Sequence, residues 1–174
     1  MKLYYTSFKL PTGIAHAAAS DKGVVRLSIG GMPLRDFLRE LEVGFGVRPV
    51  KDAGPFGTLV RELDGYFAGE VKDFSARLDL NGTEFQMRVW SKLLKVKYGT
   101  VRTYGWLANA VGNPDAARAV GGALNRNPVP IIVPCHRIVG ASGSLGGYAC
   151  GLDIKRRLLE LEGVCKSGTR VYCR

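Results

Sequence analysis

The chain has 174 residues, a formal net charge of +10, 46% apolar residues and 23% charged residues. This balance is typical of a globular protein and excludes a disordered or low-complexity chain. Residues 1–80 carry 11 basic and 10 acidic side chains, net +1, whereas residues 81–174 carry 14 basic and 5 acidic, net +9. The second half is therefore a candidate for contact with a polyanion, although solubility explains the charge equally well.

No segment approaches the run of about 18 apolar residues that a membrane helix needs. The N-terminal segment is interrupted by Ser7, Lys9, Pro11 and Gly13, so it lacks the apolar core of a signal peptide. We therefore expect a cytoplasmic protein that makes no membrane contact.

The four cysteines all lie in the second half, without a CxxC pair or a zinc-type spacing: Cys135, Cys150, Cys165 and Cys173. In a cytosolic chain they are expected to be free thiols, and a disulfide among the last three stays open.

The first half predicts a small antiparallel sheet with two helices. Alternating apolar residues between turn residues indicate three strands, Tyr4–Phe8, Ile14–Ala19 and Val24–Ile29. Pro33 opens a helix that is predicted to close at Gly44. A second helix fits Phe56–Phe67, and residues 70–82 are predicted to form a loop or linker.

The second half is predicted to be mostly helical. Thr83 with Gln86 forms a capping-box pattern, followed by an apolar stripe that predicts a core helix ending before Gly99. Thr103 is predicted to cap a helix over Tyr104–Val111.

A second helix is predicted directly after the one over Tyr104–Val111. Two short helices in close succession suggest a helix-turn-helix unit. Asn113 is expected to cap it, Pro114 to take its first position and residues 115–124 to form it. Gly121 and Gly122 present little side-chain bulk there, at a cost of about 1 kcal/mol each relative to alanine. Tight helix packing explains this surface, and so does close approach to a nucleic-acid groove, with Arg118 as the one long basic side chain.

An apolar run bounded by prolines, Ile131–Pro134, is predicted to be a buried extended segment that ends on adjacent Cys135 and His136. A thiolate is a nucleophile, and a neighbouring imidazole lowers the pKa of a thiol. Adjacent residues of an extended chain point to opposite sides, so contact between the two side chains needs a turn over residues 134–137 or a bridging water. A small buried hydrophobic role is the alternative for the cysteine.

The motifs around this cysteine resemble the active-site signature of the O6-alkylguanine-DNA alkyltransferases. They are Pro-Cys-His-Arg at 134–137, Asn-Pro-Val-Pro at 127–130 and Ala-Arg-Ala-Val-Gly-Gly-Ala at 117–123, and the likeness extends over residues 84–163. The resemblance implies an α+β protein. Residues 1–80 would form a scaffold domain with a small antiparallel sheet and helices, and residues 81–174 a mostly helical DNA-binding and catalytic domain with the helix-turn-helix.

The resemblance implies a role for each matching residue. Cys135 would accept the alkyl group, His136 would remove its proton through a water, and Glu162 would orient that histidine. Asn127 would brace the turn, and Tyr104 would bind the flipped guanine and help to neutralise the leaving base.

The resemblance further implies that Arg118 enters the duplex and fills the space left by the extruded base. The other expected DNA contacts are Thr103, Ala117, Gly121 and Gly122, and the expected pocket walls are Ile138, Tyr148 and Ala149.

The implied reaction is a single irreversible transfer from double-stranded DNA containing O6-alkylguanine, by a monomer that needs no metal and no cofactor. Some family members carry an N-terminal zinc site, which we do not expect because no cysteine precedes Cys135. Cys150, next to the expected pocket, is either a passive filler or an oxidation partner. A DNA-binding regulator and a thiol hydrolase are the two competing functions. The first would need bulky polar residues reaching base edges, and the second an oxyanion site.

Overall fold

A computed structural model describes residues 1–164 of the chain. The chain divides into two compact units, Met1–Asn81 and Gly82–Arg174. Within the described residues, no helix is both long enough and apolar enough to pass through a membrane.

The first unit is built on a four-stranded sheet with the order β3-β2-β1-β4. Strands β1 (Tyr4–Leu10), β2 (Gly13–Ser20) and β3 (Gly23–Ser28) form an antiparallel meander, as the sequence predicted. Strand β4 (Val50–Lys51) pairs in parallel with β1 and was not predicted. Its two residues are both exposed, so it carries no alternating pattern that could have revealed it.

Helix α1 (Leu34–Phe45) covers one face of this sheet. Phe37 and Leu41 pack there against residues of the sheet in one apolar core. The predicted end at Gly44 is wrong, because Gly46 provides the left-handed C-cap, with φ 67°, and donates its backbone N–H to the Glu42 carbonyl.

Helix α2 (Gly57–Phe67) follows a single 3-10 turn and fixes the segment that leads out of the unit. The buried Glu62 carboxylate accepts the backbone N–H groups of Ser75 and Ala76 at 3.0–3.1 Å and the Ser75 hydroxyl. The predicted loop at 70–82 contains no helix, but these bonds and a bridge between Val24 and Leu78 attach it to the unit.

The second unit contains four described helices, α3 (Glu84–Leu93), α4 (Tyr104–Ala110), α5 (Ala117–Asn125) and α6 (Leu152–Leu161). A short parallel ladder joins β5 (Arg102–Thr103) to β6 (Ile138–Val139) and was not predicted, because each strand has only two residues.

The predicted capping box at the start of α3 is confirmed, with Thr83 and Gln86 bonded reciprocally. The indole N–H of Trp90 donates to the Ala123 carbonyl at 3.0 Å and fixes α3 against α5.

The predicted start of the second helix of the pair is wrong. Asn113 does not cap it, because residues 113–116 form a turn in which the Ala116 N–H donates to the Asn113 carbonyl, and α5 begins only at Ala117 without a side-chain cap. Asn followed by Pro114 is equally favourable at the first two positions of a β-turn, which explains the error.

Candidate active site

The segment that delivers Cys135 is a buried tight turn rather than the predicted extended run. The Val133 N–H donates to the Val129 carbonyl at 3.0 Å, and Ile131 has φ 75°. A β-branched residue in the left-handed region is unusual, and such backbone costs about 1–3 kcal/mol. A 3-10 turn over Cys135–Arg137 follows. The chain therefore turns within residues 134–137, which is one of the two conditions under which Cys135 and His136 could interact.

Asn127 holds this turn together from the inside. Its side-chain amide donates to the Val133 carbonyl at 2.7 Å and to the Cys135 Sγ at 3.0 Å, while its Oδ1 accepts the Val129 N–H at 3.0 Å. A donor that points at the sulfur stabilises the thiolate over the thiol. Asn127 therefore acts on the nucleophile directly, in addition to bracing the turn.

The carboxylate of Glu162 binds two side chains of the Cys135–Arg137 turn. His136 Nε2 lies 2.7 Å from Glu162 Oε1, and Arg137 donates to both carboxylate oxygens at 2.9–3.2 Å. All three side chains are buried. Because an ionised carboxylate only accepts, the Nε2 of His136 carries the proton, which leaves Nδ1 as the basic nitrogen.

The charges of this cluster follow from its contacts. Burial by itself would raise the pKa of Glu162, but the hydrogen bonds and charges of His136 and Arg137 lower it to about 2. Burial lowers the pKa of His136, against the opposing effect of Glu162. At neutral pH the site therefore holds a carboxylate beside a neutral imidazole, which is the form that acts as a base.

Lys155 is a site residue that sequence reasoning missed. It is completely buried, and its ammonium group donates to the carbonyls of Ile138 at 2.6 Å, Gly147 at 3.2 Å and Leu145. Its spacing from Glu162 could have indicated it. Lys155 lies seven residues before Glu162, which is about two helical turns, so the two residues lie on the same side of the helix.

Burial raises the pKa of the Cys135 thiol, and three neighbours oppose this. They are the Asn127 amide, the positive charge of Lys155 and, with a smaller effect, the Tyr148 hydroxyl. Burial in turn lowers the pKa of Lys155 to about 8, while the charge of the Cys135 thiolate opposes that change. The thiolate therefore depends on the charge of Lys155 and on the donors around the sulfur.

Tyr104, the first residue of α4, faces the same loop that Lys155 binds. Its hydroxyl donates to the Gly147 carbonyl at 3.5 Å, and a Cβ added at Gly146 would lie 2.6 Å from the Tyr104 oxygen. Burial raises the pKa of Tyr104, and the charge of Cys135 contributes to this. Tyr104 is therefore a protonated donor at the loop that Lys155 binds.

The remaining predicted pocket residues differ in exposure. Ile138 is buried directly after the Cys135–Arg137 turn, Tyr148 is half-buried, and Ala149 is exposed. Cys150 is half-buried. Cys165 and Cys173, the other candidates for a disulfide, lie outside the described residues.

The predicted DNA-contact residues lie at the start of α4 and on α5. Ala117 and Arg118 are exposed, and Gly121 and Gly122 are half-buried. A Cβ at Gly121 would lie 4.0 Å from the Tyr104 ring. Thr103 caps α4 by accepting the Trp106 N–H at 3.0 Å.

Comparison with known families gives two matches that together span most of the chain. The DNA binding domain of 6-O-methylguanine DNA methyltransferase matches residues 84–164, and the ribonuclease-like domain of the same protein matches residues 3–80.

The chain is also similar to individual proteins of known sequence or structure. The methylated-DNA–protein-cysteine methyltransferase of Methanosarcina acetivorans is 45% identical over 94% of this chain and 100% of its own length. That of Mycobacterium leprae is 60% identical over 63% of this chain and 66% of its own length. The crystal structure of Mycobacterium tuberculosis OGT in complex with DNA superposes with a TM-score of 0.80 at 42% identity, covering 92% of this chain and 93% of that one.

The Glu162 cluster predicts how stability depends on pH. Because the pKa of Glu162 is lowered from 4.5 to about 2, its contribution is complete above pH 4.5 and is lost as the pH falls through 2. Replacing Glu162 by Gln leaves the Arg137 charge buried without its counterion. It should lower the free energy of unfolding at pH 7 by about 3–5 kcal/mol.

Denaturant unfolding across pH 2–7 measures this difference, with exposed Glu160→Gln on the same stretch of chain as the control. The difference between wild type and Glu162→Gln should shrink towards pH 2, where the wild-type carboxylate begins to be protonated in the folded state. A pH-independent difference, or one no larger than that of the control, would contradict the assigned charge state.

Lys155 predicts the reactivity of Cys135. Lys155→Met removes the nearby positive charge, so the pKa of the Cys135 thiol should rise and its alkylation by iodoacetamide at pH 7 should slow about tenfold. Mass mapping of the Cys135 peptide over a pH series measures the rate. Lys155→Arg, which keeps the charge, should retain the wild-type pH profile. If the Met variant reacts with an unshifted profile, Lys155 has a purely structural role.

Proposed function

We infer that the chain, which belongs to the 6-O-methylguanine DNA methyltransferase family, repairs DNA by moving the alkyl group of O6-alkylguanine to one of its own cysteines. The acceptor we propose is Cys135. The observation that carries this assignment is the set of groups around its sulfur: the Asn127 amide at 3.0 Å, the buried charge of Lys155 and the adjoining His136–Glu162 pair at 2.7 Å.

The reaction begins when His136 takes the thiol proton of Cys135, through a bridging water. Glu162 accepts from Nε2, so the proton arrives at Nδ1, and the carboxylate then stabilises the imidazolium. The thiolate attacks the alkyl carbon in line, the S–C bond forms, and the O6–C bond breaks with its electron pair passing to guanine.

Tyr104 supports the leaving guanine. Because the pKa of its phenol is raised, the hydroxyl is protonated at neutral pH and can donate to the base as negative charge develops. The protein product is a thioether, which water does not readily hydrolyse, so each molecule acts once. No step in this sequence requires a metal or a cofactor.

Access to Cys135 requires the target base to leave the duplex, because this residue is only 6% exposed. Extrusion costs a few kcal/mol of unstacking. The exposed Arg118 on α5 is the side chain we assign to the vacated space, with Ala117, Gly121 and Gly122 allowing close approach of the backbone. In this assignment α4 and α5 act as a helix-turn-helix, and Thr103 lies at its edge.

The proposed partner is double-stranded DNA that contains O6-alkylguanine, bound by a monomer in the cytoplasm. The net charge of +9 on residues 81–174 supports binding through phosphates with little regard for sequence. Residues 1–80 would serve as the scaffold domain, and residues 81–174 would hold the chemistry.

Intact mass spectrometry tests the assigned reaction. After mixing with a duplex that contains O6-methylguanine, the wild-type protein should gain the mass of one methylene unit, because a methyl group replaces the thiol proton. Peptide mapping should place the gain on Cys135. The Cys135→Ala variant should gain nothing, whereas Cys150→Ala, which removes the neighbouring thiol, should still be methylated. Methylation of another cysteine, or none while DNA binding persists, would overturn the assignment.

Arg118→Ala tests the role of α5. It should slow repair of duplex substrate about tenfold or more, since about 1.4 kcal/mol of lost stabilisation corresponds to one factor of ten. Transfer from free O6-benzylguanine, which needs no extrusion, should slow much less. Arg39→Ala, an exposed arginine of α1, is the matched control. Equal losses on both substrates would remove the proposed role of Arg118 in base flipping.

A further inference from the structure

A small basic cavity lies on the second unit outside the proposed active site. We call it the 95–106 pocket. Its volume is about 140 Å³, and it is lined by Lys95, Val96, Lys97, Thr100, Arg102 and Trp106. It is smaller than the 300–1,000 Å³ of ordinary small-molecule sites, but it has room for a single phosphate group.

Arg102 and Trp106 form one wall of this pocket, and defined contacts hold Arg102 in place there. The Arg102 guanidinium lies over the Trp106 ring, 5.5 Å from its centroid, and Arg102 Nη1 donates to the Val101 carbonyl at 3.0 Å. Trp106 is 39% exposed, so its indole is accessible at the surface of the pocket. The stacking fixes the orientation of a planar group that binds phosphate oxygens in pairs.

The two lining lysines lie in the segment between α3 and β5. The Thr100 hydroxyl donates to the Lys97 carbonyl at 2.7 Å within this segment. Both Lys95 and Lys97 are exposed, and within residues 1–164 neither forms an ion pair. No carboxylate from the described part of the chain lines the cavity, so the charged side chains that line it there are all positive and favour an anion.

The pocket is also connected to the proposed active site. The Val96 carbonyl accepts Arg137 Nη1 at 2.5 Å, and Arg102 pairs with Ile138 in the β5–β6 ladder. Arg102 precedes the proposed guanine-binding Tyr104 by two residues. A DNA strand held at Tyr104 presents a phosphate about every 3.4 Å along the helix axis, so phosphates flank the lesion nucleotide on both sides.

We propose that the 95–106 pocket binds a backbone phosphate of DNA outside the lesion nucleotide, with Arg102 and Lys97 as its main ligands. This rests on the proposed function for the identity of the polyanion. It adds a fixed contact that holds the strand relative to Tyr104 and is independent of the base sequence.

Salt-dependent binding to an undamaged duplex tests the pocket. Removing one phosphate contact should reduce the slope of log Kobs against log salt by about 0.9. The double variant Lys97→Gln/Arg102→Gln should show this reduction relative to wild type. The matched control, Lys9→Gln/Lys51→Gln, removes two charges of the first unit and should show a smaller change.

A variant that preserves charge distinguishes a specific phosphate site from nonspecific attraction by positive charge. Trp106→Leu keeps every cation but removes the surface that orients Arg102, so it should weaken duplex binding about two- to fivefold. Thermal unfolding of each variant checks its fold. A slope change equal to that of the control, or unchanged binding by Trp106→Leu, would overturn the proposal. Loss of binding to poly-glutamate with an unchanged DNA slope would also overturn it, in favour of an acidic protein partner.

Failure of the pocket and failure of the proposed function give different results. If wild type gains methyl mass from O6-methylguanine duplex but the double variant keeps the wild-type slope, only the pocket is wrong. If no mass is gained and the slope still falls, the phosphate site stands and the alkyl-transfer assignment fails.

Discussion

The second unit depends on the hydrogen bonds that the buried carboxylate of Glu162 accepts. The carboxylate accepts from His136, from Arg137 and from the backbone N–H of Gly99 at 2.7–3.2 Å, so a charge that would be costly alone is fully compensated. The same contacts fix the tautomer of His136 and keep the pKa of Glu162 at about 2. Stability and chemistry are therefore properties of one cluster, and a change to Glu162 affects both.

Helix α6 and its C-cap supply two of the buried charges of the site, Lys155 and Glu162. Lys155 and Glu162 lie about two turns apart, and both bind the chain that follows Cys135, through different groups. Glu162 holds the turn that contains the nucleophile, while Lys155 holds the loop that carries Tyr148 by its backbone carbonyls. This arrangement explains how a cysteine whose burial favours the neutral thiol can still be a nucleophile: the charge of Lys155 and the Asn127 amide oppose the effect of burial.

Much of the fold was predictable from local patterns, and the rest depends on contacts distant in sequence. Alternation revealed the three antiparallel strands, and the capping box revealed the start of α3. Two-residue strands such as β4 carry no such pattern, and the Asn113–Pro114 pair fits a cap and a turn equally well. In the site, the motif identified Cys135 and its neighbours, but Lys155 resembles any helical lysine until the carbonyls that bind it are brought together by folding. The positive φ of Ile131 is likewise imposed by packing, because an isoleucine does not favour it.

The central claim is that Glu162 holds His136 as a neutral imidazole with its proton on Nε2, ready to accept a proton at Nδ1. Nitrogen-15 NMR of the histidine rings measures this directly, because the chain has only two histidines and a His16→Gln variant assigns them. We predict that at pH 7 the His136 signals show a protonated Nε2 and an unprotonated Nδ1, and that the ring stays neutral below the pH at which an ordinary histidine gains its charge. An imidazolium at pH 7, or the opposite tautomer, would contradict the account.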